Sequence, residues 1–157
     1  AALGTPAYCW YQNDHDAYGT VYGALYNWYA VDSLSNGNRS ICPVGWHIPA
    51  EAEWTALTSA LGELDVAGGQ MKEAGTTHWS PPNTGATNSS GFTALPGGFR
   101  GYTNGAFNQV RNFGHWWSRT SADAALAWGE GLFYLEAAAD HSTSNKKLGF
   151  SIRCVKD

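Results

Sequence analysis

The chain has 157 residues, 14% of them charged and 14% aromatic, with eight Trp and eight Tyr. Disordered chains show the opposite bias, so this composition predicts one packed domain over residues 1–157. The formal net charge of -4 supplies no basic stripe for phosphates and argues against nucleic acid as a partner. No apolar run approaches the roughly 20 residues needed to cross a bilayer, so direct membrane insertion is not expected.

The chain begins AALGTPAYCW, without Met and without a signal peptide, which is typical of a mature or trimmed segment. Its three cysteines are too few for a disulfide-rich scaffold, and they allow one bridge in any of three pairings. No CxxC spacing indicates zinc or redox chemistry. Buried thiols or one structural bridge are therefore expected.

Residues 20–34 have the spacing of a helix. Their large side chains fall at i, i+3, i+4 and i+7, which is one helical face: Tyr22, Leu25, Tyr26 and Tyr29. This pattern predicts the first main helix.

A second main helix is predicted to begin at Pro49 and to stop at Gly62. Glu51 and Glu53 lie in its first turn, where the helix dipole favours negative charge. The N-cap position, Ala50, has no side-chain oxygen to offer. Its buried stripe is formed by Trp54, Leu57 and Leu61. A short third helix is expected around residues 68–75.

The second half of the chain predicts loops and then strands. Residues 76–110 are rich in turn residues, and strands are expected at 115–120, 127–136 and 148–157. In the middle strand, Trp128, Leu132 and Tyr134 share one face, and Gly129, Gly131, Phe133 and Leu135 share the other. The sequence therefore predicts an α+β fold, loop-rich, with two main helices packed on short antiparallel strands.

Catalytic and metal motifs are sparse. The five histidines are scattered without HExxH spacing, and no GxSxG elbow occurs. Asp14 and Asp16 form no EF-hand register and are interpreted as a polar turn. Glu130 and Glu136, six apart on one strand, would lie roughly 20 Å apart, too far for a glycosidase pair. No catalytic residue, metal or cofactor is predicted.

Several long segments resemble the Fibrobacter succinogenes major paralogous domain. They are YGTVYGALYNWYAV, CPVGWHIPAEAEW, GTTHWSPPNTGATNSSGFTALPGGFR, HWWSRT, AWGEGLFY and KKLGFSIRCVKD, and they cover about residues 8–157. This family is similar to the C-type lectin fold, in the branch shared with formylglycine-generating enzymes. Those enzymes use a cysteine pair near the end of the chain, where this sequence has Cys154 alone. The EPN, QPD and WND motifs of calcium-dependent sugar-binding lectins are absent.

The resemblance fits best with the variable proteins of diversity-generating retroelements. In those proteins Asn codons become NNY codons, which encode fifteen amino acids but never Lys, Gln, Glu, Met or Trp. Between Phe113 and Asn145, the residues outside this set are Trp116, Trp117, Trp128, Glu130 and Glu136. The tryptophans are expected to be invariant support, packed beneath the surface with Leu132, Tyr134, Phe150 and Ile152. Glu130 and Glu136 must be fixed or arise by another route.

The resemblance implies a ligand-binding display protein with a variable region at about 111–145. A surface that changes freely must contribute little to folding, and exposed strand and loop positions satisfy this condition. The expected ligand-binding residues are Arg111, Phe113, His115, Arg119, Gly129, Gly131, Phe133, Leu135, Asp140, His141 and Thr143. The partner would be a protein or a cell-surface ligand, and the location extracellular, on a bacterial surface or a phage virion. The alternatives are a non-variable adhesin module of the same family and a formylglycine-generating-type enzyme.

Overall fold

In the computed structural model, which describes residues 4–157, the first third of the chain forms short elements. In chain order they are β1 (Tyr8–Cys9), two helical turns (Tyr11–Asn13 and His15–Gly19), α1 (Thr20–Tyr22), β2 (Leu25–Tyr26), α2 (Trp28–Val31) and β3 (Trp46–His47). Strands β1 and β2 pair antiparallel, with Tyr8 opposite Tyr26.

The predicted first main helix is wrong. At Gly23 the backbone turns to φ 77°, a conformation that glycine adopts without a steric cost, and the helix ends at Tyr22. The next residues pair as β2 with β1, and a new short helix then begins at the Asn27 cap, whose side chain accepts from Ala30 N–H. Tertiary pairing with a distant strand has therefore overridden a local helical pattern.

The predicted second main helix is confirmed as α3 (Glu51–Ala60). Ala50 is the N-cap without a side-chain hydrogen bond, and its N–H instead donates to Glu53 Oε2 at 2.8 Å. The short third helix is also present, but it begins earlier than predicted, as α4 (Leu64–Met71). These two helices are the longest among the described residues, and they contact each other and the sheet described next.

The second half contains the main antiparallel sheet, of strands β6 (Phe113–Ser121), β7 (Leu126–Phe133) and β8 (Ala139–Asn145). Before it lies the small pair β4 (Phe99–Arg100) and β5 (Phe107–Asn108). The predicted strands at 115–120 and 127–136 correspond to β6 and β7, whereas β8 was not predicted. Helices together with antiparallel strands confirm the α+β class.

The predicted strand at 148–157 is only partly present. β9 (Val155–Lys156) pairs with β3, while Phe150 bridges Tyr26 and Ser151 bridges Trp116 as isolated contacts. A disulfide joins Cys42 to Cys154, 112 residues apart, and Cys9 is the free cysteine. The final residues thus tie the early segments to the sheet.

Two clusters of buried side chains lie on opposite faces of the main sheet. The first packs Trp116 and Leu132 against Trp54 of α3, Met71 of α4 and Trp79 of the loop after α4. The second packs Trp117 and Ala127 against residues from the first half of the chain: Trp28, Val31, Cys42, Ile48 and Phe150. The predicted support residues accordingly contribute to both clusters, except that Trp128 is only half-buried. Within residues 4–157, no helix has the length and hydropathy to cross a membrane.

Candidate functional site

The two faces of the main sheet carry different residues. Residues of β8 alternate between these faces, so Asp140, Ser142 and Ser144 follow the Gly129–Gly131 side of β7, since Gly131 pairs with Asp140 and Gly129 with Ser142. We call this side the groove face. On the opposite side, the helix face, lie Trp116, Trp128, Glu130, Leu132, His141 and Thr143.

A shallow groove of about 180 Å³ lies on the groove face. Its apolar walls are Phe99, Phe113, Leu148 and Phe150. Its polar border is Asp140, Ser142 and Ser144 on β8, and His115 also lines it. An apolar depression bordered by a few polar groups shares its chemistry with ligand sites, in a volume smaller than the roughly 300–1,000 Å³ usual for them.

His115 forms the floor of the groove and is not an exposed contact. The residue is 3% exposed, and its ring stacks on Phe150 with 3.8 Å between ring centroids. Neither ring nitrogen has a hydrogen-bond partner among the described residues. Burial lowers the pKa of His115 from 6.5 to about 3, so the ring is neutral at pH 7. The prediction that His115 belongs to an exposed surface is therefore wrong.

Gly129 and Gly131 are buried beneath this floor. A Cβ on Gly129 would lie 2.5 Å from His115 Nε2 and 2.9 Å from the Trp116 carbonyl oxygen. A Cβ on Gly131 would lie 3.1 Å from His115 Nδ1 and 3.1 Å from Phe113 Cζ. The absent side chains leave room for the imidazole ring to cross β7. The two glycines were predicted as ligand-binding positions, and the structure shows them as packing positions instead.

On the helix face, His141 joins the sheet to α3. Its Nδ1 lies 2.8 Å from Glu130 Oε2, and its Nε2 lies 3.2 Å from Glu51 Oε1. Its ring stacks on Trp128 at 5.1 Å, and its side chain is 12% exposed. The prediction of His141 as an open contact residue is wrong, because strand alternation turns it away from the groove.

Glu130 is 0% exposed, and its Oε1 has no partner among the described residues. Burial raises the pKa of Glu130 from 4.5 to about 7; the hydrogen bond from His141 and its charge oppose the rise, and Asp140 adds to it. Glu130 is thus an interior residue, whereas Glu136, which NNY codons also do not encode, is exposed.

The remaining predicted site residues lie in different places. Arg111 is exposed and donates to the Thr77 and Thr76 carbonyls, and Arg119 is exposed at the far end of β6. Phe133 is half-buried at the end of β7, opposite Phe113, while Leu135 follows the strand and is 48% exposed. Thr143 lies on the helix face opposite Trp128. Of the predicted set, the groove therefore brings together Phe113, His115 and Asp140.

Sequence reasoning missed several residues of this surface. Ser142 and Ser144 were missed because β8 contains few apolar or β-branched residues, which are the residues that indicate a strand. Phe99 and Leu148 come from segments outside the expected variable region. No local pattern could place them beside β8.

Lys72 was also missed, although it holds the loop after β7. Its Nζ donates to the carbonyl oxygens of Thr84, Phe133 and Glu136, at 2.9, 3.1 and 2.7 Å. Burial lowers the pKa of Lys72 to about 8, against the opposing charge of Glu136. Three carbonyl acceptors compensate the buried ammonium group and position the end of β7.

The cysteine, acidic and imidazole side chains form no metal centre among the described residues. Within residues 4–157, no three His, Cys, Asp or Glu side chains are arranged to hold a metal ion. Cys154 is bonded to Cys42, and the free Cys9 lies on β1, with its sulfur 3.8 Å from Arg100 Nη1. Burial raises the pKa of the Cys9 thiol, and Arg100 partly opposes this rise.

Comparison with protein families identifies the family of the chain. The model of the Fibrobacter succinogenes major domain matches residues 1–156. The chain belongs to this family. No curated protein and no solved structure matches the sequence. Family membership therefore covers both the helical half and the sheet that carries the groove, and the disulfide is compatible with an extracellular location.

Proposed function

We propose that this family member is a ligand-binding display protein, of the kind diversified by retroelements, and that it binds a protein or cell-surface ligand through the groove face. The observation that carries the proposal is the groove itself. It is an apolar depression bordered by Asp140, Ser142 and Ser144, on a sheet that is packed from both sides. A firmly supported surface loses little conformational freedom on binding.

The exchangeable positions are fewer than the sequence implied. Strand β8 presents Asp140, Ser142 and Ser144 to the groove, and Leu135 is exposed just before it. All four can be encoded by NNY codons. None of them belongs to either buried cluster, so their exchange costs little stability. His115, Gly129, Gly131 and His141 belong to the support.

The proposal also includes the fold family, the location of the protein and a role without catalysis. The fold is C-type lectin-like, which is supported by the two helices, the C-terminal antiparallel sheet and the pairing of β3 with β9 near the chain ends. The location is a bacterial surface or a phage virion, supported by the disulfide. No catalysis is proposed, since Cys154 is bonded to Cys42, 112 residues away, and the sequence has no second cysteine near the chain end of the formylglycine-generating kind.

Two codon libraries test the division between support and display. In the first, Leu135, Asp140, Ser142 and Ser144 each vary over NNY codons. In the matched control library, the same codons replace His115, Gly129, Gly131 and His141. Protease resistance of surface-displayed clones measures folding. Most clones of the first library should stay folded, and few of the second. Equal losses in the two libraries would contradict the proposed division.

Panning then tests binding. The folded clones of the first library are selected against two unrelated purified proteins, and binders with different residues at the four positions are expected for each. Failure to enrich any binder would contradict a display role. The neighbouring DNA separates this proposal from the adhesin alternative: a reverse transcriptase gene, with a near-copy of the 3′ coding region that differs at adenines, supports display, and its absence supports a non-variable adhesin.

A further inference from the structure

A second cleft, of about 600 Å³, lies away from the groove. It is bordered by residues 31–41, by residues 46–50 before α3, and by the end of β6. It shares no lining residue with the groove. Its use therefore does not depend on the function proposed for the groove face.

Two of the chain's five arginines, Arg39 and Arg119, line this cleft. The other three guanidinium groups are engaged within the protein. Arg100 donates to Gly105, Arg111 to Thr76 and Thr77, and Arg153 to Phe92. Among the described residues, the Arg39 guanidinium has no partner, and Arg119 has only a contact of 3.9 Å to Glu53. Two incompletely paired guanidinium groups in one concavity favour an anionic ligand.

The acidic groups near the cleft are already engaged. Asp32 accepts from the N–H and the hydroxyl of Ser35, the hydroxyl at 2.5 Å. His47 lies between Glu53 and Asp157, with its ring nitrogens 2.7 and 2.6 Å from their oxygens. These two hydrogen bonds raise the pKa of His47. None of these three carboxylates pairs with the Arg39 guanidinium among the described residues, and Glu53 approaches Arg119 only to 3.9 Å.

The other lining groups favour a saccharide. Trp46 is 42% exposed at the cleft, and an exposed aromatic ring offers a flat apolar surface to a sugar ring. Ser33, Asn38 and Ser40 add hydroxyl and amide groups that can hydrogen-bond to sugar hydroxyls. An acidic peptide would use the arginines but would have no need of the ring and the hydroxyls together.

We propose that the cleft bordered by Arg39, Trp46 and Arg119 binds an acidic saccharide. The carboxylate or sulfate of the sugar pairs with the arginines, and the sugar ring lies against Trp46.

Calorimetric titration of the whole chain tests this proposal with four probes. Oligogalacturonate carries carboxylates, sulfated dextran oligosaccharide carries sulfates, neutral dextran oligosaccharide carries no charge, and short poly-glutamate is an acidic peptide. At least one acidic saccharide should bind, with an affinity that falls as salt rises. The stronger of the two identifies carboxylate or sulfate as the preferred group. No binding of either, or equally tight binding of neutral dextran or poly-glutamate, would overturn the proposal.

Matched substitutions locate the site. Arg119→Gln should weaken binding about tenfold or more, whereas Lys147→Gln, an equal loss of charge at another exposed position, should leave it within about twofold. Trp46→Ala should weaken binding similarly, whereas Tyr102→Ala removes an aromatic residue of comparable exposure elsewhere and should not. The melting temperature of each variant checks folding. Folded Arg119→Gln or Trp46→Ala protein that binds like wild type would place the saccharide elsewhere.

Discussion

The imidazole ring of His115 occupies the space that a side chain on Gly129 would fill, 2.5 Å from the Cβ position of that residue. The two residues lie on adjacent strands, where His115 pairs with Gly131 and Trp117 pairs with Gly129. The groove floor is therefore built by one large ring that crosses two glycines. A larger side chain at Gly129 would therefore displace the His115 ring, so the two positions cannot be substituted independently.

Gly129→Ala should destabilise the protein by about 1–3 kcal/mol, because the added methyl group overpacks the floor against His115 and the Trp116 carbonyl. Gly4→Ala is the control, since a Cβ at Gly4 meets nothing within 4 Å and should change stability by about 0.5 kcal/mol or less. Chemical denaturation measures both variants. Equal stabilities would show that the floor adapts to a side chain at Gly129.

His115→Phe should make the protein less sensitive to acid. Burial lowers the pKa of His115 from 6.5 to about 3, so below pH 6.5 the unfolded chain binds a proton that the folded protein does not. Wild type therefore loses stability as pH falls from 6.5 toward 3, by up to about 1.4 kcal/mol per pH unit from this residue. Denaturation from pH 7 to pH 4 measures the slope. His15→Phe, at a half-exposed surface site, is the control. An unchanged slope in the His115 variant would contradict the buried neutral ring.

Glu130→Gln should alter the pH dependence in the opposite direction. The pKa of Glu130 is raised from 4.5 to about 7, so between these values the folded state holds a proton that the unfolded state has lost. The contribution of Glu130 to stability is therefore largest below pH 4.5 and is lost as pH rises toward 7. The variant should lose less stability than wild type between pH 5 and pH 7.5. Glu63→Gln, at an exposed glutamate, should retain the wild-type slope, and identical profiles for all three proteins would refute the assignment.

Trp117→Ala should cost about 3–5 kcal/mol, because this residue is fully buried and belongs to the cluster behind the sheet. Trp128→Ala should cost less, about 1–2 kcal/mol, since Trp128 is half-buried and packs by stacking on His141. The sequence predicted both tryptophans as buried support, with a cost of about 3–5 kcal/mol for Trp128→Ala. Thermal melts of both variants measure these losses, and a loss for Trp128→Ala as large as that for Trp117→Ala would contradict the smaller role of Trp128.

Local signals were sufficient where neighbours in sequence determine the structure. Pro49, the glutamates of the first turn and Gly62 correctly predicted α3, because capping and dipole effects act within one or two turns. The periodicity at Tyr22, Leu25 and Tyr26 failed, because the backbone at Gly23 and the pairing with β1 were stronger than a helical face. Strand β8 was missed for the converse reason, since its polar residues carry no apolar signal and its pairing with β7 determines its structure.

The residues of the candidate site were likewise predicted only in part. Phe113 and Asp140 were predicted and line the groove, whereas His141 and Thr143 were predicted and lie on the helix face. One undetected strand accounts for the difference, because the side chains of a strand alternate and neighbouring positions in β8 face opposite sides. No local pattern indicates a site at Arg39 and Trp46, since only the fold brings them beside Arg119.

By itself, the sequence determined the α+β class, the family, helix α3 and the alternation of β7. Each depends on composition or on residues a few positions apart. The tertiary structure alone decided the pairing of Cys42 with Cys154, the burial of His115 and Gly129, and the composition of both clefts. Burial depends on which distant segments cover a residue, and that information is absent from the local sequence around it.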